Sequence, residues 1–495
     1  MNTQTLLTAS MLAAAPLAAA FSPATASAAP DKPNIVFILA DDLGYSDTEL
    51  TPHNPAFETP NIKQLAAEGT YFTNAYTCGP NCAPTRACFI SGMYTPRHHI
   101  YTPGQHSKGT TEYMRLLVPA REFPNNPNFN TIPSEHALPT NITSIADVLN
   151  AAGYTTARFG KWHVGEDTQG FDFSSTSDLP NDTKKYYGAP DSPKRLAKRA
   201  ITFIENHKDK PFFLFVSHFD VHVPLKSDPE LVKHFKAKKE QTNLNFNPTY
   251  AAEVRAVDIS VGQIRQALKD NGIADNTIVI FSSDNGGHMP TTTNKPLRSQ
   301  KGSLFEGGIR VPTVIYYPGV TQPNTTCNTP INSVDFMPTF ADIAGSKLPA
   351  DQPVDGVSIL PLIQGKQIAE RPIFWFYPLY LEGVKSIRNI PIHGTNKIYW
   401  RGVPAAAVRL GDYKLIKYFE DNSTKLFDVT KDISETTDLS TSKPKVHEKL
   451  LTQLNNWLEE TKAPVPTKLN PLFNPDAKRT SGKKKRKLPQ NITFN

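Results

Sequence analysis

Cysteine is scarce. Only Cys78, Cys82, Cys88 and Cys327 occur in 495 residues, too few for a disulfide scaffold to be the basis of the fold. A bridge between Cys78 and Cys88 and a set of buried free thiols are both compatible with the spacing. Beyond the first thirty or so residues no apolar run is long enough to cross a bilayer, so no integral membrane segment is expected. No internal repeat is present, which argues against a solenoid. Surplus charge is also missing from the body of the chain. The net +7 is matched by the stretch after Pro466, where Lys468, Lys478, Arg479, Lys483, Lys484, Lys485, Arg486 and Lys487 face only Asp476. A solvated basic tail, able to lie near a polyanion, fits this better than a nucleic-acid-binding protein.

What is present sets the class. A hydrophobic fraction of 39% over this length predicts a globular chain with one large domain and a smaller one. The apolar run Leu6 to Phe21 followed by Ala26-Ser27-Ala28 reads as a secretory signal peptide over residues 1–28, although no Lys or Arg precedes it. Pro16 and Pro23 argue against a membrane anchor. An exported protein, periplasmic or extracellular, is therefore expected.

Four β-branched and aromatic runs end abruptly in polar residues: Asn34 to Ala40 before Asp41-Asp42, Thr155 to Gly160 before Lys161, Phe212 to Ser217 before His218, and Thr277 to Ser282 before Asp284-Asn285. These predict buried strands of one sheet. Helical periodicity lies between them, at Asn61 to Glu68, Ser144 to Ala152, Pro193 to His207 and Tyr250 to Asn271. Strands alternating with helices predict an α/β sheet sandwiched by helices, with a ligand crevice beyond the carboxyl ends of the strands. After Pro361 the texture changes. Ala407 to Leu410, Tyr413 to Tyr418 and Lys425 to Val429 read as a small antiparallel sheet, covered by a helix starting at Pro444. The expected division is 29–360 for the catalytic domain, 361–463 for a C-terminal subdomain and 464–495 for a disordered basic tail.

Cys82-Ala83-Pro84-Thr85-Arg86 sits where a loop turns into a helix, and Arg86 falls four residues on, on the same face. A helix start suits an anion. On spacing alone a buried core thiol is as good a reading as a nucleophile. The segment, continued by Ser91-Gly92, resembles the signature of type I sulfatases, the formylglycine-dependent family of the alkaline-phosphatase-like superfamily. Further blocks in that family's order are Ala40 to Gly44, Gly160 to His163, His222-Val223-Pro224, Ser283 to Gly287, and Lys301-Gly302 leading to Glu306 to Pro312. Thr85 stands where the family more often has Ser but keeps the hydroxyl. The region Phe374 to Pro378 lacks a histidine often found nearby.

The resemblance implies an alkaline-phosphatase-like mixed sheet with a small C-terminal subdomain. It also implies that Cys82 is oxidised to formylglycine by a formylglycine-generating or sulfatase-maturating enzyme, and that its hydrate attacks sulfur to give a sulfo-enzyme intermediate. Asp41, Asp42, Asp284 and Asn285, with residue 82, are the implied ligands of one divalent metal. Oxygen-only donors favour Ca²⁺, with Mg²⁺ as the alternative. His163 is the implied base, Arg86, Lys161 and Lys301 neutralise charge, and His222, with Lys301, protonates the leaving oxygen. In the Pro/Asn-rich stretch from Tyr94 to Asn141, Arg97, His98, His99, Lys108 and Arg115 are candidates for binding a sulfated sugar. The expected activity is sulfate removal from a sulfated carbohydrate. Rival readings are an aryl or alkyl sulfatase, a two-zinc phosphatase or phosphodiesterase, and a carbohydrate-binding pseudo-enzyme.

Overall fold

The computed structural model describes residues 32–104, 107–117, 131–175, 189–383 and 388–477. The expected signal peptide (1–28) and the Lys478–Lys487 basic run lie outside the described residues. Every residue of Asn34–Ala40 is buried, and its side chains alternate between two cores. Val36, Ile38 and Ala40 join one core, while Ile35, Phe37 and Leu39 join the other. Burial on both faces is why the strand reads as an unbroken apolar run rather than as an alternation.

This strand is central in an eight-stranded sheet, between Phe212–Ser217 and Thr277–Ser283. Thr155–Gly160 and Phe173–Ser175 extend the sheet in parallel on one side. On the other side Thr313–Tyr316 runs antiparallel to Thr277–Ser283, followed by Thr70–Phe72 and Thr325–Cys327. The sheet is therefore mixed, as expected. The expected helices form at Pro60–Glu68, Ile145–Ala151, Ser192–His207 and Pro248–Asp270. Ser144 caps the second through the backbone N–H groups of Ala146 and Asp147, and Asp147 returns the bond to close a capping box.

Register brings the strand ends to one edge. Ala40 pairs with Ser283, Leu39 with Ser217, and Ser217 with Gly160. Just beyond them the loops are tied across the crevice: the Asp41 N–H donates to the Asp220 carbonyl at 2.9 Å, and the Val221 N–H to the Asp41 carbonyl at 2.7 Å.

The C-terminal part forms a four-stranded antiparallel sheet in the order Ile373–Tyr377, Ala405–Leu410, Tyr413–Tyr418, Thr424–Asp428. The Pro444–Glu460 helix packs on it, with Trp457 stacked on Phe374 at 4.7 Å between ring centroids. Lys414, fully buried, ties this sheet to the Glu306–Ile309 turn of helix by pairing with Glu306, and it also pairs with Glu435, each at 2.8 Å. The chain beyond Ala463 was expected to be disordered, yet it is packed as far as Ala477. The Asn470 side chain, 3% exposed, donates to the carbonyls of Thr111 and Met114, and the Tyr113 hydroxyl donates to the Ala477 carbonyl. Backbone acceptors of residues 111–114 supply what the tail's Pro/Asn-rich composition does not advertise. All four cysteines are free thiols. Cys78 bonds the Asn332 side chain and Cys88 approaches His98 Nε2 at 3.3 Å, so the Cys78–Cys88 bridge is not formed.

Candidate active site

Cys82 opens the Cys82–Ser91 helix, all of whose residues are buried. Gly79 lets the preceding loop fold back on Pro84, since a Cβ there would come within 2.8 Å of the Pro84 ring. The Thr85 hydroxyl donates to the Gly79 carbonyl at 3.0 Å, which is the use this fold makes of the hydroxyl at that position. Four residues after Cys82, Arg86 is 1% exposed and turns its fork on Asp284. Its Nε and Nη2 meet Asp284 Oδ2 at 2.9 and 2.7 Å, while Nη1 donates to the Lys161 carbonyl at 3.0 Å and to Ser217 Oγ. One helix thus fixes both the thiol and a cation that spans three strand ends.

Around Cys82 the strand ends deliver the other residues. Lys161 Nζ pairs with Asp41, Lys301 Nζ with Asp42 Oδ1 at 2.6 Å, and Asn285 Nδ2 donates to Asp42 Oδ1 at 2.8 Å. His163 Nδ1 lies 3.4 Å from Cys82 Sγ. The Asp42 and His163 backbones have φ values of 61° and 66°, in a region that non-glycine residues enter at a cost. His222 Nε2 faces Asp42 Oδ2 at 3.8 Å, and its Nδ1–H donates to the Val223 carbonyl at 2.6 Å.

The geometry fits a cation. Asp41 Oδ1, Asp42 Oδ2 and Asn285 Oδ1 are buried with no hydrogen-bond partner among the described residues, an arrangement that is costly unless something positive answers it. One ligand atom from each of Asp41, Cys82 and Asp284 can lie within 4.8 Å of the others, and the same holds for Asp41, Asp42 and His222. Both groups share Asp41, so they lie at the same place. Hard oxygen donors dominate it, which suits Ca²⁺ or Mg²⁺.

Burial raises the Asp41 carboxyl well above the ordinary range, helped by Asp284 and opposed by Lys161. Burial works the same way on Asp42, but there Lys301, His222 and Lys161 win and hold it ionised far below that range. For Lys301 burial favours loss of the proton, yet Asp42 outweighs it and the ammonium is retained above its usual value. Burial, then the charges of Lys161, Arg86 and Lys301, keep His163 neutral. His222 is pushed down to about 4 by burial, against the pull of Asp42. The Cys82 thiol is raised, chiefly by burial, so the unmodified thiol is not activated as a thiolate.

The expected sugar-binding residues are not brought together here. The helix spans ten residues, about 15 Å, and Gly92 in the left-handed region turns the chain at the end opposite Cys82. Arg97 there pairs with Asp355 at 2.9 Å and Glu460 at 3.2 Å. His98 is a core residue, 2% exposed, whose Nδ1 accepts the Ile100 N–H. His99 is exposed at that same end, bonded to the Tyr101 hydroxyl at 2.9 Å. Arg115 meets His393. Lys108 alone approaches the site, through a backbone bridge to Leu381, whose side chain covers Gly302 beside Lys301. Three residues near the site were not anticipated: Ser217, which holds Arg86, and His288 and Arg401, which feel the charge of Asp42.

Three carboxylates, three cations and a helix-start cysteine gathered beyond the strand ends of a mixed sheet fit a hydrolase of anionic esters. Sequence comparison makes this specific. The sulfatase family profile matches residues 33–346, and that of the C-terminal region of N-sulphoglucosamine sulphohydrolase matches 299–464. A sulfatase of Formosa agariphila is 32% identical over 88% of this chain and 90% of its own. The N-acetylgalactosamine-6-sulfatase of Mus musculus is 29% identical over 81% of this chain and 75% of its own. Among solved structures, Ps i-CgsB in complex with k-i-k-neocarrahexaose superposes with a TM-score of 0.67 at 27% identity, covering 88% of this chain and 94% of its own. The chain belongs to the sulfatase family, in the alkaline-phosphatase-like superfamily, and is a sulfuric ester hydrolase.

Proposed function

We propose that the chain removes sulfate from a sulfated carbohydrate outside the cytoplasm, with residue 82, converted from cysteine to formylglycine, as its nucleophile. The observation that carries this is that orphaned buried oxygens on Asp41, Asp42 and Asn285 stand beside the cations Arg86, Lys161 and Lys301 around one helix-start residue. A divalent cation and a sulfate ester answer the two charges together. The carbohydrate class is supported by relatives that act on N-acetylgalactosamine 6-sulfate or hold a neocarrahexaose. Export is carried by the leader read at residues 1–28.

Asp41, Asp42, Asp284 and Asn285 would hold the cation, with residue 82 beside them. When present, the ion would withdraw charge from the sulfate oxygens, and the formylglycine hydrate would offer one hydroxyl to sulfur and a second for later release of sulfate. Arg86 fixes Asp284 and the start of the helix. Lys161 meets sulfate charge from the strand end opposite. His163, neutral and beside residue 82, takes the proton that must leave for sulfate to be eliminated. The proton for the departing sugar oxygen is assigned to Lys301, which Asp42 keeps charged. His222 is neutral in the free site; with Nδ1–H engaged by Val223, its Nε2 is an acceptor and positions a hydroxyl of the sugar. The Cys82-Ala83-Pro84-Thr85-Arg86 segment is the feature a maturating enzyme would recognise.

The test is sulfate release from a panel of sulfated oligosaccharides, an aryl sulfate and a phosphate monoester, using the parent chain and Cys82→Ala. Release from one or more of the oligosaccharides, lost in Cys82→Ala, is expected. Release confined to the aryl sulfate, or faster phosphate release, would overturn the proposal.

A further inference from the structure

Arg401 is a half-buried guanidinium that makes no hydrogen bond or ion pair with any described residue, and its Nε is sealed from solvent. A guanidinium carries five donors, and leaving them unmet while removing them from water is unfavourable. Burial accordingly holds this group below its usual pKa, with only Tyr377 and Asp42 pulling the other way. It is brought in by the strand Ile398–Gly402 of the C-terminal part and lies against Gly302: a Cβ on Gly302 would sit 2.9 Å from Arg401 Nε. Gly302 adjoins Lys301, so a second cation stands next to the one that Asp42 already answers. Among the described residues no acid pairs with it.

His288 adjoins the same place. The Lys301 N–H donates to the Gly287 carbonyl at 3.3 Å, and the Met289 N–H to Gln300 Oε1 at 3.0 Å, so residues 287–289 run alongside 300–301. His288 is half-buried, its Nδ1 has no partner among the described residues, and it feels Asp42, Arg401 and Lys301.

We infer that Arg401 and His288 form a second anion subsite beside the sulfate position, which takes a carboxylate or a further sulfate on the same sugar or its neighbour. This rests on the reading of the Cys82 site as the one that takes the sulfate ester. The planar fork of Arg401 matches either oxyanion in two-pronged fashion, and His288 offers one more polar contact. The subsite makes the preferred substrate a sugar with at least two negative groups.

Calorimetric binding to the full chain distinguishes the sources, with three ligands: a hexose bearing one sulfate, the same hexose bearing two, and a monosulfated disaccharide with an adjacent uronic acid. One of the two dianionic ligands is expected to bind roughly ten- to a hundredfold more tightly than the first, identifying sulfate or carboxylate. Arg401→Gln should erase that ratio and Arg401→Lys should retain part of it. Equal affinities in the parent chain, or a ratio that survives Arg401→Gln, would overturn the inference. Because binding is read without turnover, a preserved ratio with no sulfate release from any ligand counts against the role of residue 82 and leaves the subsite standing.

Discussion

Replacing Arg86 with Met removes the charge and donors but keeps most of the apolar bulk, so the result isolates the fork on Asp284. In the parent chain both partners are sealed, at 1% and 0% side-chain exposure, and the pair is reinforced by the Lys161 carbonyl and Ser217 Oγ. Asp284 would be left buried beside Asp41, its other oxygen still accepting the Asp42 N–H at 3.2 Å. Removing one member of a buried, hydrogen-bonded ion pair costs about 3–5 kcal/mol, against under about 1 kcal/mol for a surface pair. Arg86→Lys keeps the charge and loses the two-pronged geometry, so it should recover about half. Urea unfolding followed by tryptophan fluorescence reads the stability, and calorimetric Ca²⁺ titration reads the consequence for the site. Without the fork Asp284 loses the contacts that orient it toward the other ligands, so Ca²⁺ affinity should fall as well. A cost under about 1 kcal/mol for Arg86→Met, with Ca²⁺ affinity intact, would refute the claim that Arg86 organises Asp284.

Three further outcomes follow from the same geometry. If the His222 imidazolium were the proton donor, its pKa of about 4 would make kcat/KM fall about tenfold per pH unit above that value; assignment to Lys301 predicts no such decline between about pH 5 and 9, and a pH–rate profile decides. His98 has a folded pKa near 3, lowered by burial, against an ordinary 6.5, so its stabilisation is present above about pH 6.5 and is lost as pH falls toward 3, at about 1.4 kcal/mol per unit. His98→Gln should flatten that slope in urea titrations at pH 7, 6 and 5. Saturating Ca²⁺ at about a hundred times its Kd should stabilise the chain by about 2.7 kcal/mol over chelated protein, and Asp41→Asn should abolish the difference in thermal melts.

Much of the architecture was legible because parallel strands buried on both faces leave continuous apolar runs, and the polar residue ending each run marks the crevice. Asn34–Ala40 and Phe212–Ser217 are the clearest cases. The helix Pro229–Thr242 was not read, since Phe235 is its single buried residue and one apolar side chain makes no stripe. The strands Leu381–Glu382 and Ile390–Pro391, two residues each, are too short to show a period. The grouping of Asp41, Asp42, Cys82, Arg86, Lys161, His163, His222, Asp284, Asn285 and Lys301 was legible through their motifs. The position of the stretch from Tyr94 to Asn141 was not legible because the direction taken after Gly92 is a backbone property, and it carries Arg97, His98 and His99 to the far end of the helix. Arg401 gave no signal: a cation after Trp400 in a strand looks like any edge residue, and only the packing of that strand against Gly302 brings it to the site. His288 directly follows the Ser283–Gly287 block and could have been included.

The most direct test of the account measures sulfate release against the state of residue 82 in the same samples, with the aldehyde fraction quantified by mass spectrometry of the peptide containing Cys82. Protein made with and without a maturating enzyme supplies the range. The account predicts turnover proportional to the aldehyde fraction and none from chains that keep the thiol. Full sulfate release from protein whose residue 82 is entirely unmodified cysteine would contradict it.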